Sequence, residues 1–202
     1  MAIGSSSTAG EKSDSGKVRV VPFPYRLELA LRAQTYGRLV DVVNRGISGQ
    51  EAPAELSRFE SDVIGEAPSL VIWQVGTNAI FQKILHPDEV IKSIEVGLNW
   101  LKGLAIDVVL MDLQYVTALV EGGNLKPSEE LVERISATAE QAHVNVFRRF
   151  ELMRQWCSND RIPIADLIDP EDKRNLHMSD WATGCITEAL SSAIAGAPAA
   201  TA

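Results

Sequence analysis

The sequence contains little cysteine, few basic residues and no long apolar run. Cys157 and Cys185 lack the spacing of metal ligands, so we expect small buried residues unless the fold pairs them. Lysine and arginine number 19 against 27 acidic residues, and this balance repels a phosphate backbone, so no nucleic-acid partner is expected. Apolar stretches such as PSLVIWQV are far shorter than the roughly 20 residues that cross a bilayer, so we expect no membrane span.

Histidine is also scarce, with three in the chain. His86 precedes a proline, which favours a surface turn, and His143 falls inside a long predicted helix. Neither has a second histidine or a carboxylate at metal-ligand spacing, so we expect no metal and no other cofactor.

The composition is that of one sizeable domain. Hydrophobic residues make up 46% of the chain, enough for a substantial core. We expect a single domain over residues 1–195 and a disordered Ala/Pro-rich tail over 196–202. Because the first predicted strand begins at Met1, we expect that upstream residues were processed away or omitted. An export signal there would indicate a periplasmic or secreted protein, and its absence a cytoplasmic one.

Apolar runs rich in Val, Ile and Leu alternate with longer amphipathic segments. This pattern predicts an α/β fold with three layers, helices on both faces of a central five-stranded parallel sheet, in a flavodoxin-like order. Strands are predicted at 1–4, 39–44, 69–75, 106–112 and 162–167. Helices are predicted at 24–36, 51–64, 87–103, 128–156 and 180–195, with Ser179 or Asp180 as the cap of the last. The segment 128–156 is long enough for its helix to be broken.

Polar and glycine-rich segments follow the predicted strands. They read GSSSTAG, NRGISG, GTNA, LQY and DPEDKRNLHMSD, in chain order. Ligand sites of open parallel sheets lie outside the carboxyl ends of the strands. We therefore expect these segments to form one site. A phosphate-binding P-loop is not among the expectations, since the first segment has no lysine at the required position.

The segments resemble the blocks of the SGNH, or GDSL-type, hydrolases. GSSST stands where that family has GDS followed by threonine, which makes Ser6 the matching nucleophile. VNRGISG matches the glycine block at Gly46, and VIWQVGTNA matches the GxN block at Asn78. LHMSDW matches the histidine block at His177. The matches extend over nearly the whole chain.

The resemblance implies a serine esterase that forms an acyl-serine intermediate. His177 would take the proton of the Ser6 hydroxyl, which is otherwise a poor nucleophile. The backbone N–H groups of Ser6 and Gly46 and the amide of Asn78 would stabilise the oxyanion. Ser5 and Ser7 are expected to cap a helix or to bond the loop rather than to act as nucleophiles. The substrate would be a small-molecule or carbohydrate ester, and short loops, which leave little material for a lid, favour a short acyl group such as acetyl.

The sequence departs from the family at the residue that orients the histidine. The family's Asp three residues before the His is Arg174 here, and arginine cannot accept a hydrogen bond. Asp172 could replace it if the intervening residues bulge, with Asp169, Asp180 or a backbone carbonyl as alternatives. Ser5 likewise stands where the family has Asp, and the Asp that commonly follows Asn78 is replaced by alanine.

Two residues after the fourth strand, Gln114 and Tyr115, are candidates to line the substrate pocket, although an ordinary packed Tyr and loop amide would look the same. Arg45 is a candidate contact for an anionic substrate or a partner of a surface acid. The departures leave two other functions open: a catalytically degraded binding module of the same fold, and a flavodoxin-type or regulatory domain that binds a phosphate-bearing ligand.

Overall fold

The protein is an α/β domain built on five parallel strands. The computed structural model describes residues 1–10 and 20–197. The strands are β1 (Ala2–Gly4), β2 (Asn44–Gly46), β3 (Leu70–Gln74), β4 (Asp107–Met111) and β5 (Asn145–Phe147). Their order is β2-β1-β3-β4-β5, so the predicted three-layer fold with its flavodoxin-like order is confirmed.

The strand order reverses at β1, and this reversal determines where a site can form. Ala2 of β1 lies opposite Asn44 of β2 on one side and Ile72 of β3 on the other. The long helix that follows β1 covers one face of the sheet, whereas the helices that follow β2 and β3 cover the other face. A crevice therefore opens outside the carboxyl ends of these three strands.

Nine α-helices are present in the described residues. They are α1 (Ser6–Ala9), α2 (Phe23–Gln34), α3 (Ala52–Leu56), α4 (Thr77–Gln82), α5 (Pro87–Leu101), α6 (Thr117–Val120), α7 (Leu125–Gln141), α8 (Arg149–Ser158) and α9 (Asp180–Ala195). A π-helical turn at Glu60–Ile64 and a 3₁₀ turn at Ile164–Leu167 complete the structure. None of the helices in the described ranges is long and apolar enough to cross a membrane.

Alternate residues of the strands pack on opposite faces of the sheet, as the two-residue period of a strand requires. Ala2, Ile72 and Met111 form a core with α2 and α9. The residues between them in sequence, such as Ile3 and Trp73, form the larger core with α3, α5 and α7. The sheet is thus covered on both faces, which explains why its central strands read as nearly continuous apolar runs.

Local capping explains two of the helix starts. His86 is the N-cap of α5: its Nδ1 accepts from Asp88 N at 3.3 Å, and Glu89 Oε2 accepts from His86 N at 3.0 Å. The turn predicted for His86 is therefore confirmed. Ser179 Oγ accepts from Ala182 N at 3.2 Å and caps α9, as one of the two predicted alternatives.

The prediction of a fifth strand at 162–167 is wrong. That segment contains the 3₁₀ turn, and the fifth strand, β5, lies at a break inside the helical region predicted over 128–156. The helical pattern is interrupted because α7 ends at Gln141 and His143 adopts a left-handed φ of 57°. The chain then pairs Asn145 with Val109 of β4 for only three residues, which is too short to give a periodic signal.

Other features of the structure also differ from the sequence-based predictions. The predicted strand 39–44 begins only at Asn44, because pairing with β1 selects the polar residues Asn-Arg-Gly over the apolar residues before them. The predicted helix 51–64 is divided into α3 and the π-helical turn. Cys157 and Cys185 are free thiols, and both are half-buried rather than fully buried as expected. Of the predicted tail, 198–202 lies outside the described residues.

Candidate active site

Ser6 lies at the exit of β1, where the chain turns sharply into α1. Its neighbour Ser5 fixes this turn, because the Ser5 N–H and hydroxyl both donate to Gln74 Oε1, at 3.1 and 3.0 Å. Ser7 donates to Gln114 Oε1 at 3.5 Å. Ser5 and Ser7 therefore bond the loop, which is one of the two predicted alternatives. The side chain of Ser6 lines the crevice, with 8% of the residue exposed.

His177 is brought to Ser6 from the loop before α9. Its Nε2 lies 3.0 Å from Ser6 Oγ, although the two residues are 171 positions apart in the sequence. The loop is fixed by backbone bonds, since Asp169 N donates to the carbonyl of His177 at 2.9 Å. Gln114 Nε2 also donates to the carbonyl of the preceding residue, Leu176, at 3.1 Å. The hydroxyl and the imidazole are thus within direct hydrogen-bond distance.

Asp172 contacts the other ring nitrogen. Its Oδ2 lies 2.9 Å from His177 Nδ1 and also accepts from the backbone N–H groups of His177 and Leu176, at 2.7 and 2.9 Å. Burial opposes ionisation of this carboxyl, but those backbone donors and the nearby His177 outweigh it and hold the pKa of Asp172 well below its ordinary value. A carboxylate at this position selects the tautomer with the proton on Nδ1, so that Nε2 accepts from the Ser6 hydroxyl.

Arg174, the residue that departs from the family pattern, lies beside this pair. Its Nε donates to Asp172 Oδ1 at 3.3 Å, and one of its terminal nitrogens lies 3.3 Å from His177 Nδ1. Because arginine only donates, it cannot replace a carboxylate as the acceptor of the Nδ1 proton. Of the alternative acids, Asp169 accepts from the backbone N–H of Glu171 at 3.0 Å, and Asp180 forms an ion pair with Arg26.

Gly46 lines the crevice, but the prediction that its N–H is an oxyanion donor is wrong, because that N–H is already bonded. This N–H donates to Asn44 Oδ1 at 2.9 Å within the same turn. Gly46 serves close packing instead, since a Cβ there would lie 2.2 Å from the backbone nitrogen of Ala9 in α1. Gly49, three residues on, lines the crevice with a left-handed φ of 83°, and its N–H has no acceptor among the described residues. Gly49 N–H is therefore available to a ligand, and the second glycine of NRGISG marks its position in the sequence.

Asn78 lies in the first turn of α4 and reaches the same crevice. It is 5% exposed, and its Nδ2 donates one hydrogen to the carbonyl of Gln50 at 2.7 Å. An amide nitrogen carries two hydrogens, so a second remains for a ligand.

Gln114 and Tyr115 do not line the crevice, and the prediction that they do is wrong. Gln114 is 1% exposed, and its amide is used internally: Oε1 accepts from Thr77 Oγ1 at 3.0 Å while Nε2 bonds the loop of His177. Tyr115 packs edge-on against Phe150, with ring centroids 5.1 Å apart. Arg45 forms an ion pair with Glu66 at 2.8 Å, which agrees with the second of the two roles considered for it.

The crevice is a groove of about 470 Å³. Its lining residues are Ser6, Ala9, Gly10, Gly46, Ser48, Gly49, Asn78, Phe81, Gln82, Arg174, Leu176 and His177. A larger cavity of about 730 Å³ lies at the opposite edge of the sheet, near Leu70, Asp107 and Asn145, where β3, β4 and β5 begin. We assign the site to the smaller groove, because it alone of the two contains the Ser6–His177 pair. Within residues 1–10 and 20–197, no cluster of His, Cys, Asp and Glu side chains could hold a metal ion.

Comparisons with known proteins support the fold. Among curated proteins, none matches the chain. A catalytic mutant of an acetylxylan esterase from Geobacillus stearothermophilus superposes with a TM-score of 0.80 at 18% identity, covering 98% of this chain and 93% of that one. A hydrolase from the metagenome of Lake Arreo gives 0.79 at 17% identity, covering 96% and 93%.

A third solved structure, described as a lipolytic protein of the G-D-S-L family from Desulfitobacterium hafniense, has a TM-score of 0.71 at 22% identity and covers 94% and 95% of the two chains. At these identities the structures establish a shared fold. The model of the non-GDSL lipase-like family matches residues 1–200, almost the whole sequence. The resemblance found in the sequence is therefore confirmed, and the chain belongs to the non-GDSL lipase-like family of SGNH-like hydrolases.

Proposed function

We propose that the protein hydrolyses carboxylic esters through an acyl-serine intermediate on Ser6. The observation that carries this proposal is the continuous chain of contacts from Ser6 Oγ to His177 Nε2, at 3.0 Å, and from His177 Nδ1 to Asp172 Oδ2, at 2.9 Å. Such a chain supplies a nucleophile, a base and a group that orients the base.

In the first half of the reaction Ser6 Oγ attacks the ester carbonyl carbon while His177 Nε2 takes the hydroxyl proton. The charge on the imidazolium is stabilised by the Asp172 carboxylate. The oxyanion would accept from the N–H groups of Ser6 and Gly49 and from the remaining hydrogen of Asn78 Nδ2. Removing one such donor typically raises the barrier by about 3–4 kcal/mol.

The intermediate collapses when the bond from the carbonyl carbon to the alcohol oxygen breaks. The departing alcohol takes the proton from His177 Nε2 and leaves the acyl group on Ser6. A water molecule then gives a proton to His177 and attacks the acyl carbon, after which the carboxylic acid departs and the proton returns to Ser6 Oγ. His177 Nε2 thus carries the proton in every transfer of both half-reactions.

The lining of the groove supports a short acyl group and a hydroxyl-rich alcohol. Apolar side chains come from Ala9, Phe81 and Leu176, and most of the other described lining residues present polar groups or backbone. A long alkyl chain would therefore find little apolar surface there. Together with the fold shared with an acetylxylan esterase, this supports acetyl esters, including those of carbohydrates, as substrates.

The decisive experiment compares the wild type with Ser6→Ala on an aryl acetate. We expect turnover by the wild type and a fall of at least about 10³-fold in the variant. A fluorophosphonate should label Ser6 of the wild type in a stoichiometric amount. A wild type that binds acetylated oligosaccharides but neither turns over nor is labelled would establish the binding-module alternative.

The acyl preference has its own test. Rates on aryl esters from acetyl to palmitoyl should fall with acyl length. Rates that rise toward palmitoyl would contradict the proposed preference while leaving the acyl-serine mechanism intact.

A further inference from the structure

Glu51 is a buried carboxylate that receives three backbone N–H groups. It is 5% exposed and precedes α3. Its Oε1 accepts from Ala52 N at 3.0 Å and from Gly76 N at 2.8 Å, and its Oε2 accepts from Ala79 N at 3.0 Å. The bond to Ala52 is an ordinary cap, but the other two join segments 25 and 28 residues away. This carboxylate therefore does more than begin a helix.

The two distant bonds bracket Asn78. Gly76 and Ala79 lie on either side of it in the turn between β3 and α4, and alanine offers no polar side chain to hold that turn. The carbonyl of Gln50, immediately before Glu51, takes one hydrogen of Asn78 Nδ2 at 2.7 Å. Residues 50 and 51 thus hold both the backbone and the side-chain amide of Asn78 in position.

The hydrogen bonds of Glu51 favour its ionised form. All three partners are N–H donors, so each bond favours the ionised form, although burial raises the pKa of Glu51. Glu55, one helical turn on, is fully buried and accepts from Trp73 Nε1 at 2.7 Å. Burial first, and then the negative charge of Glu51, raise the pKa of Glu55 well above its ordinary value. Three backbone N–H groups thus favour the ionised form of Glu51, whereas Glu55 receives a single indole N–H.

We propose that Glu51 is a positioning residue for Asn78: it ties the turn at Gly76–Ala79 to the loop at Gln50, so that the Asn78 amide is held in place to receive the oxyanion. The inference rests on the proposed function. Because the oxyanion forms after the substrate binds, loss of Glu51 should lower kcat and leave KM nearly unchanged.

The variants are Glu51→Ala, which removes all three acceptors, and Glu51→Gln, which keeps the size and one acceptor oxygen but turns an NH₂ group toward a backbone donor. On an aryl acetate we expect kcat to fall about 10²-fold for alanine and about 10-fold for glutamine, as for a displaced oxyanion donor. KM should change less than about threefold. The matched control is Glu55→Gln, an equally buried carboxyl that bonds the core instead of the turn, and its kcat should stay within about twofold of the wild type.

A double-mutant cycle separates positioning from general loss of structure. If Glu51 acts through Asn78, then Glu51→Gln should have almost no further effect on kcat in an Asn78→Ala background. Multiplicative losses in the double variant, or a wild-type kcat in a folded Glu51→Gln variant, would overturn the inference. If Glu51→Ala does not fold, the cycle with Glu51→Gln still decides the question. Failure of the proposed function is distinct, since the wild type itself would then neither turn over nor be labelled at Ser6.

Discussion

Asp172 Oδ2 lies 2.9 Å from His177 Nδ1, although the two residues are five positions apart rather than the three of the family pattern. Two structural features allow this. The chain turns within Asp172–Asn175, where Asn175 N donates to the carbonyl of Asp172 at 3.0 Å, and Asn175 adopts a left-handed φ of 52°. The longer spacing is thereby absorbed in one tight turn, and the carboxylate reaches the ring from a different place in the sequence.

Replacement of Asp172 by asparagine should reduce kcat by about 10²- to 10⁴-fold, because an amide neither fixes the Nδ1–H tautomer nor stabilises the imidazolium. The measurement is turnover of an aryl acetate. Asp166→Asn, which makes the same change on an exposed side chain of the preceding 3₁₀ turn, serves as the control. A kcat for Asp172→Asn within about threefold of the wild type would show that another group orients His177.

Arg174 should favour esters with a negative charge near the scissile bond. Its side chain is 51% exposed and lines the groove beside His177. A half-exposed charge pair contributes at most about 1 kcal/mol, so Arg174→Gln should lower kcat/KM on a carboxylate-bearing aryl acetate about fivefold more than on the neutral parent ester. The difference should shrink in high salt.

The control for charge alone is Lys173→Gln, which removes the same charge from the same loop outside the groove lining. If Lys173→Gln and Arg174→Gln change the ratio of the two substrates equally, the effect belongs to the overall charge of the loop and the contact proposed for Arg174 does not exist.

The sequence was sufficient to locate the four segments that meet at the site. Central strands that are covered on both faces have apolar sequences, so the polar residues that follow them are easy to identify. Ser6 follows β1 in this way, and Asn78 follows β3. Parallel topology then brings those exits to one edge without further information. His177 does not follow a strand of the observed sheet, so only the resemblance of LHMSDW to the family's histidine block predicted its place in the site.

Details that depend on a single hydrogen bond were not predictable. The sequence does not distinguish Gly46 from Gly49 as the donor; in the structure Gly46 N donates to Asn44 Oδ1, so Gly49 N–H is the one that remains available. Gln114 leaves β4 at the edge of the site, but its amide is consumed by Thr77 and Leu176. The strand β5 has only three residues, so its pairing with β4 overrides any local preference.

Gly46→Ala should destabilise the protein and also impair activity. The added Cβ would meet backbone atoms of Thr8 and Ala9, at 2.6 and 2.2 Å, so α1 must move, and Ser6 moves with it. We expect the free energy of unfolding to fall by about 1–3 kcal/mol, as for overpacking, and kcat to fall in parallel. The control is Gly184→Ala in α9, where the nearest atom to a Cβ is a side-chain nitrogen at 3.5 Å. Equal melting temperatures of the two variants would contradict the close approach of β2 and α1.

Asp112 should make the protein less stable as the pH rises from about 4 to about 7. This side chain is fully buried after β4, and its Oδ1 accepts from Phe150 N at 2.9 Å. Burial raises the pKa of Asp112 from 3.8 to about 7, against the opposing effects of that bond and of Arg149. Between these two values the folded protein holds a proton that the unfolded chain has lost, so unfolding releases it and is favoured by rising pH.

Asp112→Asn keeps the acceptor for Phe150 N and cannot ionise, so its free energy of unfolding should lack this decline. A shift of about three pKa units corresponds to a change on the order of 4 kcal/mol in the difference between variant and wild type over that range. Urea unfolding at intervals from pH 4 to pH 8 measures it, with Asp107→Asn, an exposed residue at the start of the same strand, as the control. Parallel pH curves for Asp112→Asn and the wild type would mean that this carboxyl is ionised in the folded protein, and the buried charge would then have to be balanced by Arg149.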